Sequence, residues 1–413
     1  MQDMTTVMGG RASTSELATA AGSLIAHTAG MVVTHYKTKI YCGGICYAIT
    51  EPQFIVKGRT VMSDAARATL MRLLNTTSPS GDEIAAARVW RNEAEQFADH
   101  VYSDVLGSSY AVINGGKPRV LLAGHIDEIG LMISHIDDKG FCYFQPIGGW
   151  DSQVLVGQRI RIIGRDGFVR GVIGKKPIHL MTPEDRTKVS RIEDLWIDIG
   201  ASSLDEANAL ISVGASAVID ADPLILANGR VIGRGVDNRI GAFVVLEALR
   251  LLAADRPLAT VAAVATAQEE ITFAGARTSA FAFDPQVAIA VDVTFATDHP
   301  NANRNSQGDI AIGGGPVLTR GSANAPMVFA MLRETAEQAG IPYRIQSNPS
   351  RTATDADAIH TARAGIATAV ISIPNRYMHS PNEMIDINDA LNAARLIAAF
   401  VRRLNAETSF IPR

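Results

Sequence analysis

The stretch Ala259-Thr-Val-Ala-Ala-Val-Ala-Thr-Ala-Gln-Glu-Glu270 decides the fold, because a run of small and β-branched residues leads directly into two carboxylates. Such a run is typical of a strand covered on both faces. Similar runs occupy residues 119–124, 287–291 and 367–373, and helical patterns occupy residues 241–252, 326–340 and 388–404. The alternation predicts an α/β fold, a three-layer sandwich with helices on both faces of a mixed, mostly parallel sheet.

The segment from about residue 129 to residue 222 has a different pattern. Short alternating stretches bounded by glycine, such as Gln158-Arg-Ile-Arg-Ile-Ile163 and Phe168-Val-Arg-Gly-Val-Ile173, are typical of short antiparallel strands. We therefore expect residues 129–222 to form a small β-barrel inserted into an α/β domain that comprises residues 62–128 and 223–413.

Residues 1–61 are rich in Thr, Gly and Ala and show no sustained helical or strand period. We predict an N-terminal extension that is either disordered or not native. A helix-forming stretch begins at Met62, with Ser63 or Asp64 as its cap, so Met62 is the expected native start. Apolar residues about once per turn from Ile84 to Phe97 predict a further helix.

Composition limits the classes of partner. The chain has 413 residues, 47% of them apolar and 19% charged, which is enough for one large core and a second small one. The formal net charge is −4 with no block of like charges, which argues against nucleic acid and membrane surfaces as partners. The three cysteines, Cys42, Cys46 and Cys142, form no C-x-x-C pair, which favours a reducing compartment over a disulfide framework.

The most apolar early stretch, residues 17–33, is interrupted by glycine and polar residues and has no basic run before it. It therefore matches neither a membrane-spanning helix nor a signal peptide. We expect a cytoplasmic protein, the alternative being export by a signal without a recognisable pattern.

Metal-binding residue types follow several of the predicted strands. Reactive groups in open α/β sheets gather beyond the carboxyl ends of the strands. His125 follows the predicted strand at residues 119–124 and could bind a metal through one ring nitrogen. Asp127, two residues later, could accept a hydrogen bond from the N–H of the other ring nitrogen, although a solvated turn is an alternative. Asp237 opens a helix after a glycine-rich entry, where it could cap the helix or bind a metal.

The remaining candidates are also ambiguous when each is taken alone. Glu269 and Glu270 could be exposed at a strand edge. If they are buried instead, their carboxylates need a cation nearby. Because adjacent side chains diverge, the two glutamates could then take different roles. Asp292 closes an apolar run, where a salt bridge to arginine is the alternative to metal binding. His379 lies in a loop after the strand at residues 367–373 and indicates little by itself.

Together these residues make a stronger case. Two histidines, three carboxylates and a spare glutamate form the oxygen and nitrogen set that suits two zinc, cobalt or manganese ions. One carboxylate between the ions, with two further ligands for each, describes a hydrolase centre.

Motifs along the chain resemble those of the TET-type aminopeptidases, in the glutamyl-aminopeptidase group of the dinuclear-zinc exopeptidase clan. The resemblance covers about residues 70–404. The motifs are Ser78-Pro-Ser-Gly81, Gly124-His-Ile-Asp-Glu-Ile-Gly130, Gln145-Pro-Ile-Gly-Gly-Trp150, Ile199-Gly-Ala-Ser-Ser203, Val236-Asp-Asn-Arg-Ile-Gly241, Gln268-Glu-Glu270 and Arg376-Tyr-Met-His-Ser-Pro-Asn-Glu383.

The resemblance implies a ligand set for two divalent ions, with zinc, cobalt or manganese as the metal. His125 and Asp292 would bind one ion, and Glu270 and His379 the other. Asp237 would bridge the two ions.

The resemblance also implies the activity and the assembly. Glu269 would be the general base, and Asp127 the carboxylate behind His125. The protein would be a metallo-aminopeptidase that removes amino acids from peptides with a free N-terminus. The inserted barrel would be PDZ-like and mediate dimer contacts, and the dimers would assemble into a homo-dodecamer.

Two segments depart from the family pattern, namely residues 271–276 after the glutamate pair and the extension at residues 1–61. Three other functions stay open at this point. A deacylase of the same clan would share every metal ligand. An endoglucanase-type hydrolase would use Glu269 with another acid and no metal. A non-catalytic shell-forming protein would not need the base.

Overall fold

The computed structural model describes residues 62–411 and, within residues 1–61, the backbone of five short strands. The chain divides into two compact units, Met1–Ser63 and Asp64–Arg413. The first unit contains β1 (Met31–Val33), β2 (Lys39–Cys42), β3 (Ile45–Ala48), β4 (Phe54–Val56) and β5 (Arg59–Thr60). The antiparallel pairs are β1 with β4, β4 with β5 and β2 with β3.

The expectations for the extension and for the side chains of Cys42 and Cys46 lie outside the described residues. The native start at Met62 likewise stays a prediction. The third cysteine, Cys142, is a buried free thiol.

The second unit contains the remaining strands. They are β6 (His100–Ser103), β7 (Ser109–Ile113), β8 (Gly116–His125), β9 (Gly130–Ile136), β10 (Cys142–Ile147), β11 (Arg159–Gly164), β12 (Gly167–Gly174), β13 (Trp196–Asp198), β14 (Ser216–Ile219), β15 (Leu224–Ile225), β16 (Arg230–Gly233), β17 (Ala259–Thr266), β18 (Val287–Phe295), β19 (Val317–Gly321), β20 (Arg344–Asn348), β21 (Ala367–Asn375) and β22 (Glu383–Asp386).

The α-helices of this unit cover both long and very short segments. They are α1 (Asp64–Asn75), α2 (Ile84–Ala94), α3 (Ser152–Leu155), α4 (Leu204–Leu210), α5 (Val236–Ala254), α6 (Glu269–Thr272), α7 (Ala274–Phe283), α8 (Arg304–Gln307), α9 (Pro326–Ala339), α10 (Ala356–Ile359) and α11 (Ile387–Arg402). Short 3₁₀ turns lie at Ile178–Leu180, Asp185–Thr187, Ile192–Asp194 and Ala227–Gly229.

An eight-stranded mixed sheet with the order β20-β19-β21-β18-β8-β17-β7-β6 forms the centre of this unit. The middle strands β21, β18, β8 and β17 run parallel to one another, whereas β19 is antiparallel to β21 and β7 is antiparallel to β17. The predicted α/β class with a mixed sheet is confirmed. The four predicted strand runs all lie in this sheet.

Helices cover both faces of the sheet. Helix α5 packs on β8, β18 and β17, with α11 and α2 against it, while α7 and α10 pack on the other face. Leu121 and Ala123 face α7, whereas Gly124, which points the opposite way, faces α5. A Cβ atom on Gly124 would lie 2.5 Å from the carbonyl carbon of Gly241, so only glycine allows α5 to approach this closely.

A closed six-stranded barrel with the order β10-β13-β12-β11-β14-β9 is inserted after β8. Its strands run from Gly130 to Ile219 and enclose their own apolar core, which includes Leu131, Ile160 and Ile197. The predicted small β-barrel is therefore present.

Two local features complete the comparison with the sequence pattern. Helix α2 ends at Ala94, so Phe97 lies beyond it, and Ile84 is exposed whereas Trp90 is fully buried. The predicted helix is therefore present from Ile84 to Ala94, and only its expected extension to Phe97 was wrong. No helix in the described part of the chain combines the length and the apolar character that crossing a membrane requires.

Candidate metal centre

The central strands bring most of the candidate residues to one edge of the sheet. His125 is the last residue of β8 and pairs with Thr266, the last residue of the parallel strand β17. Glu269 and Glu270 open α6 immediately afterwards, so they come close to His125. His379 lies in the loop between β21 and β22.

Two candidates reach the site by a different route from the one the sequence predicted. Asp292 lies inside β18, which continues to Phe295, so it does not close the strand. Asp237 follows β16, which belongs to a separate three-stranded sheet with β15 and β22. The expectation that Asp292 closes its strand was therefore wrong, whereas Asp237 does follow a strand, but one outside the central sheet.

Asp237 lies between the two histidines. Its Oδ1 atom is 3.3 Å from Nε2 of His125, and its Oδ2 atom is 3.4 Å from Nε2 of His379. Helix α5 is capped at Gly235 with no side-chain cap, so the interpretation of Asp237 as a helix cap was wrong. The carboxylate instead presents one oxygen to each histidine.

Each histidine has its own neighbouring acids. Nε2 of His125 lies 3.8 Å from Oδ1 of Asp292 and 3.6 Å from Oε2 of Glu269. Nε2 of His379 lies 3.6 Å from Oε2 of Glu270. Among the described residues, the groups with ligand atoms within 4.8 Å of one another are His125–Asp237–Asp292, Asp237–Glu270–His379 and His125–Glu269–Glu270.

The alternative readings of the acids do not agree with this geometry. Glu269 is buried and Glu270 is half-buried, so they are not exposed residues of a strand edge. Within residues 62–411, Asp292 forms no ion pair with arginine, and its Oδ1 atom accepts a hydrogen bond from its neighbour's backbone, Val293 N–H, at 2.8 Å.

The electrostatics of the cluster favour a bound cation. Burial, together with the neighbouring carboxylates, raises the pKa of Glu269, Glu270 and Asp292 well above their ordinary values. Burial opposes ionisation of Asp237 too, but the two histidines hold its pKa below the ordinary value. Although burial alone would lower the pKa of His125, the carboxylates of Glu269 and its other neighbours raise it.

The residues present fit divalent metal ions. Oε1 of Glu270 is buried and has no hydrogen-bond partner among the described residues. Carboxylate oxygens and imidazole nitrogens are the ligand types that zinc, cobalt and manganese accept. A cation at this position would compensate the buried negative charge and engage the unpaired oxygen.

Asp127 supports three of these residues at once. Its Oδ1 atom lies 3.3 Å from Nδ1 of His125, and its two oxygens accept the backbone N–H groups of Glu269 and Glu270, each at 3.2 Å. The hydroxyl of Ser80 donates to the same carboxylate. The sequence predicted a carboxylate behind His125, but not its contacts with the glutamate pair.

The sequence-based reasoning missed Glu383. This fully buried carboxylate accepts the backbone N–H of Asp237 and the backbone N–H of His379, each at 2.8 Å. It therefore anchors the backbones of two neighbouring members of the cluster. Glu383 ends the motif at residues 376–383, but the sequence gives no sign of its role, because a residue that only accepts backbone hydrogen bonds has no characteristic spacing from its partners.

The carbonyl oxygen of Gly149 was also missed. It lies 2.8 Å from Nδ1 of His379, and because a carbonyl only accepts, the proton belongs to Nδ1. Nε2 of His379 is then free to face Asp237 and Glu270 as a lone-pair donor. This contact comes from the segment that follows β10, so the inserted barrel contributes to the orientation of the site.

A buried ion-pair group supports the chain on both sides of Asp237. Glu128 accepts from Arg234 at 2.5 Å and from Arg239 at 2.6 Å, and it also accepts the backbone N–H of Ser78 at 3.0 Å. All three charged side chains are buried. The group ties the Ser78 loop to the start of α5.

Comparisons with known proteins show the family of this chain. The family model of the M42 glutamyl aminopeptidases matches residues 107–396. A lysyl aminopeptidase of Pyrococcus furiosus is 37% identical over 312 residues, which cover 74% of this chain and 88% of that protein.

Solved structures give the same result. A TET aminopeptidase from a marine sediment archaeon of the Thaumarchaeota has a TM-score of 0.80 at 35% identity, covering 83% of this chain and 98% of that one. The TET1 peptidase of Pyrococcus horikoshii, described as assembling into a tetrahedron or a large octahedral shell, has a TM-score of 0.74 at 31% identity, covering 82% and 100%.

The fold and the cluster of acids and histidines define a hydrolase with a candidate metal site. The chain belongs to the M42 glutamyl aminopeptidase family, and its class of activity is that of an aminopeptidase. The resemblance drawn from the motifs is confirmed.

Replacing Glu383 with alanine removes the acceptor that the backbones of Asp237 and His379 share. We expect the affinity for zinc or cobalt to fall by about 10–100-fold, since the residues that orient metal ligands carry effects of this size. Calorimetric titration of metal-free protein measures the change. The exposed neighbour Asn382 provides the control, and Asn382→Ala should keep the wild-type affinity. An unchanged affinity in Glu383→Ala would show that other contacts hold the two backbones.

Proposed function

We propose that this chain is a metallo-aminopeptidase that removes N-terminal amino acids from peptides, with two divalent ions as cofactors. The observation that supports it most is the position of Asp237, whose two oxygens face two different histidines. Such a carboxylate is suited to bridging two ions.

The ligand groups around Asp237 support one site on each side of it. His125 and Asp292 would complete the first site, and Glu270 and His379 the second. The ligand types do not distinguish zinc from cobalt or manganese. When bound, such ions act as Lewis acids that polarise a peptide carbonyl and lower the pKa of water.

Glu269 is the proposed general base. It is close to the cluster but belongs to neither of the two groups that contain Asp237, which leaves its carboxylate available for proton transfer. Its Oε2 atom, 3.6 Å from Nε2 of His125, would accept a proton from water and return it to the departing amine.

Asp127 is proposed as a positioning residue. By accepting the backbone N–H groups of both glutamates beside His125, it fixes the distance between the base and the ligands. Ser80 in turn holds Asp127.

We also propose that the chain forms a homo-dodecamer built from dimers in the cytoplasm, with the domain of residues 129–222 as the dimer contact. The assembly described for the TET1 peptidase supports a large oligomer.

Two other hydrolase functions are less well supported or need a separate test. A metal-free endoglucanase mechanism would not require the two histidines beside Asp237. A deacylase of the same clan would use the same ligands, so substrate assays distinguish it.

Variants of the two adjacent glutamates test the assignment of the base. Glu269→Gln keeps the size of the side chain but cannot accept a proton, so turnover should fall by about 10²–10⁴-fold while the metal content stays at the wild-type level. Glu270→Gln, the matched control, should instead lose bound metal. The measurements are elemental analysis and the turnover of one good aminoacyl substrate with saturating zinc or cobalt. An active Glu269→Gln enzyme, or one that has lost its metal, would contradict the assignment.

Removal of the barrel tests the proposed assembly. Replacing residues 129–222 with a short linker should produce a smaller oligomer, because the dimer contact would be lost. Light scattering measures the mass of the particle. A shortened protein that still forms a dodecamer would show that the barrel is not the dimer-forming element.

A further inference from the structure

The candidate metal centre forms one wall of a cavity of about 460 Å³. This volume lies within the range of small-ligand sites. Strands β18, β19 and β20, the segment at residues 352–354 and helix α8 supply much of the remaining wall. A substrate whose reacting bond lies at the centre must place its adjoining groups in this space.

The rest of the wall is uncharged. Apart from the residues of the metal centre, no ionisable side chain lines this cavity in the described part of the chain. Phe273, Phe295 and Met378 supply apolar surface, and serine, threonine, asparagine and glutamine side chains supply neutral hydrogen-bonding groups. Arg304 of α8 is engaged elsewhere, since its Nε atom donates to the carbonyl oxygen of Thr297 at 3.1 Å.

Gln346 occupies a fixed position on this wall. The hydroxyl of Thr294 donates to its Oε1 atom at 2.7 Å, and its Nε2 atom donates to the hydroxyl of Thr319 at 2.8 Å. All three residues line the cavity. The two threonines therefore hold a neutral amide where a charged side chain of the same shape would also fit.

We infer that the enzyme prefers peptides whose N-terminal side chain is uncharged over peptides that begin with an acidic or a basic residue. The inference rests on the proposed aminopeptidase function, because the first side chain is then attached next to the scissile carbonyl and lies beside the centre. A charged side chain would lose its water here without meeting a counter-ion. An uncharged one finds apolar surface and neutral hydrogen-bonding groups.

Pairs of substrates with side chains of similar size test this preference. The metal-loaded enzyme is assayed with the p-nitroanilides of glutamine and glutamate and with those of methionine and lysine, which differ within each pair mainly in charge. We expect kcat/KM to be at least about tenfold higher for the neutral member of each pair. A charged member that is hydrolysed as well as its neutral partner would overturn the inference and leave the proposed function standing. Hydrolysis of none of the four would overturn both.

A charge introduced at Gln346 tests whether this wall faces the first side chain. Gln346→Glu keeps both threonine contacts, since a threonine hydroxyl can donate as well as accept. The ratio of kcat/KM for lysine over methionine should rise at least about tenfold. Gln338→Glu, the same change on the exposed face of α9, should keep the wild-type ratio. An unchanged ratio in Gln346→Glu would overturn the inference, and if that variant does not fold, the wild-type pairs still decide it.

Discussion

The burial of several carboxylates around two histidines is the constraint on which the rest of this structure depends. Within residues 62–411, neither lysine nor arginine pairs with Asp237, Asp292, Glu269 or Glu270, although all four lie in the same cluster. Buried like charges are unfavourable without a compensating cation. Two divalent ions would supply the four positive charges that the four carboxylates require.

The surrounding fold holds these acids in place through their backbones. Asp127 accepts from the glutamate pair, and Glu383 accepts from Asp237 and His379. The anchors therefore come from different parts of the chain and converge on one edge of the sheet. The close approach of α5 to β8 depends on the missing side chain of Gly124. The close packing of α5 on β8 and the positions of the candidate metal ligands are thus parts of the same arrangement.

The sequence predicted the features that leave a local pattern. The apolar runs predicted the central strands. The acids and histidines that follow these runs identified the candidate residues, including His125 and the glutamate pair. Features that depend on distant contacts were not predicted. Glu383 is 146 positions away from Asp237 in sequence, and the partner of the His379 ring is a backbone carbonyl, Gly149, with no side-chain signature. The sequence indicated Asp292 because it is an acid next to an apolar run, but it did not predict that the strand continues to Phe295.

The number and position of bound metal ions test the central claim most directly. Elemental analysis of the zinc- or cobalt-loaded protein, combined with anomalous scattering from its crystals, measures both. The account predicts two ions per chain, one in contact with His125 and Asp292, the other in contact with Glu270 and His379, and Asp237 in contact with both. A single ion per chain, or two ions that do not share Asp237, would contradict it.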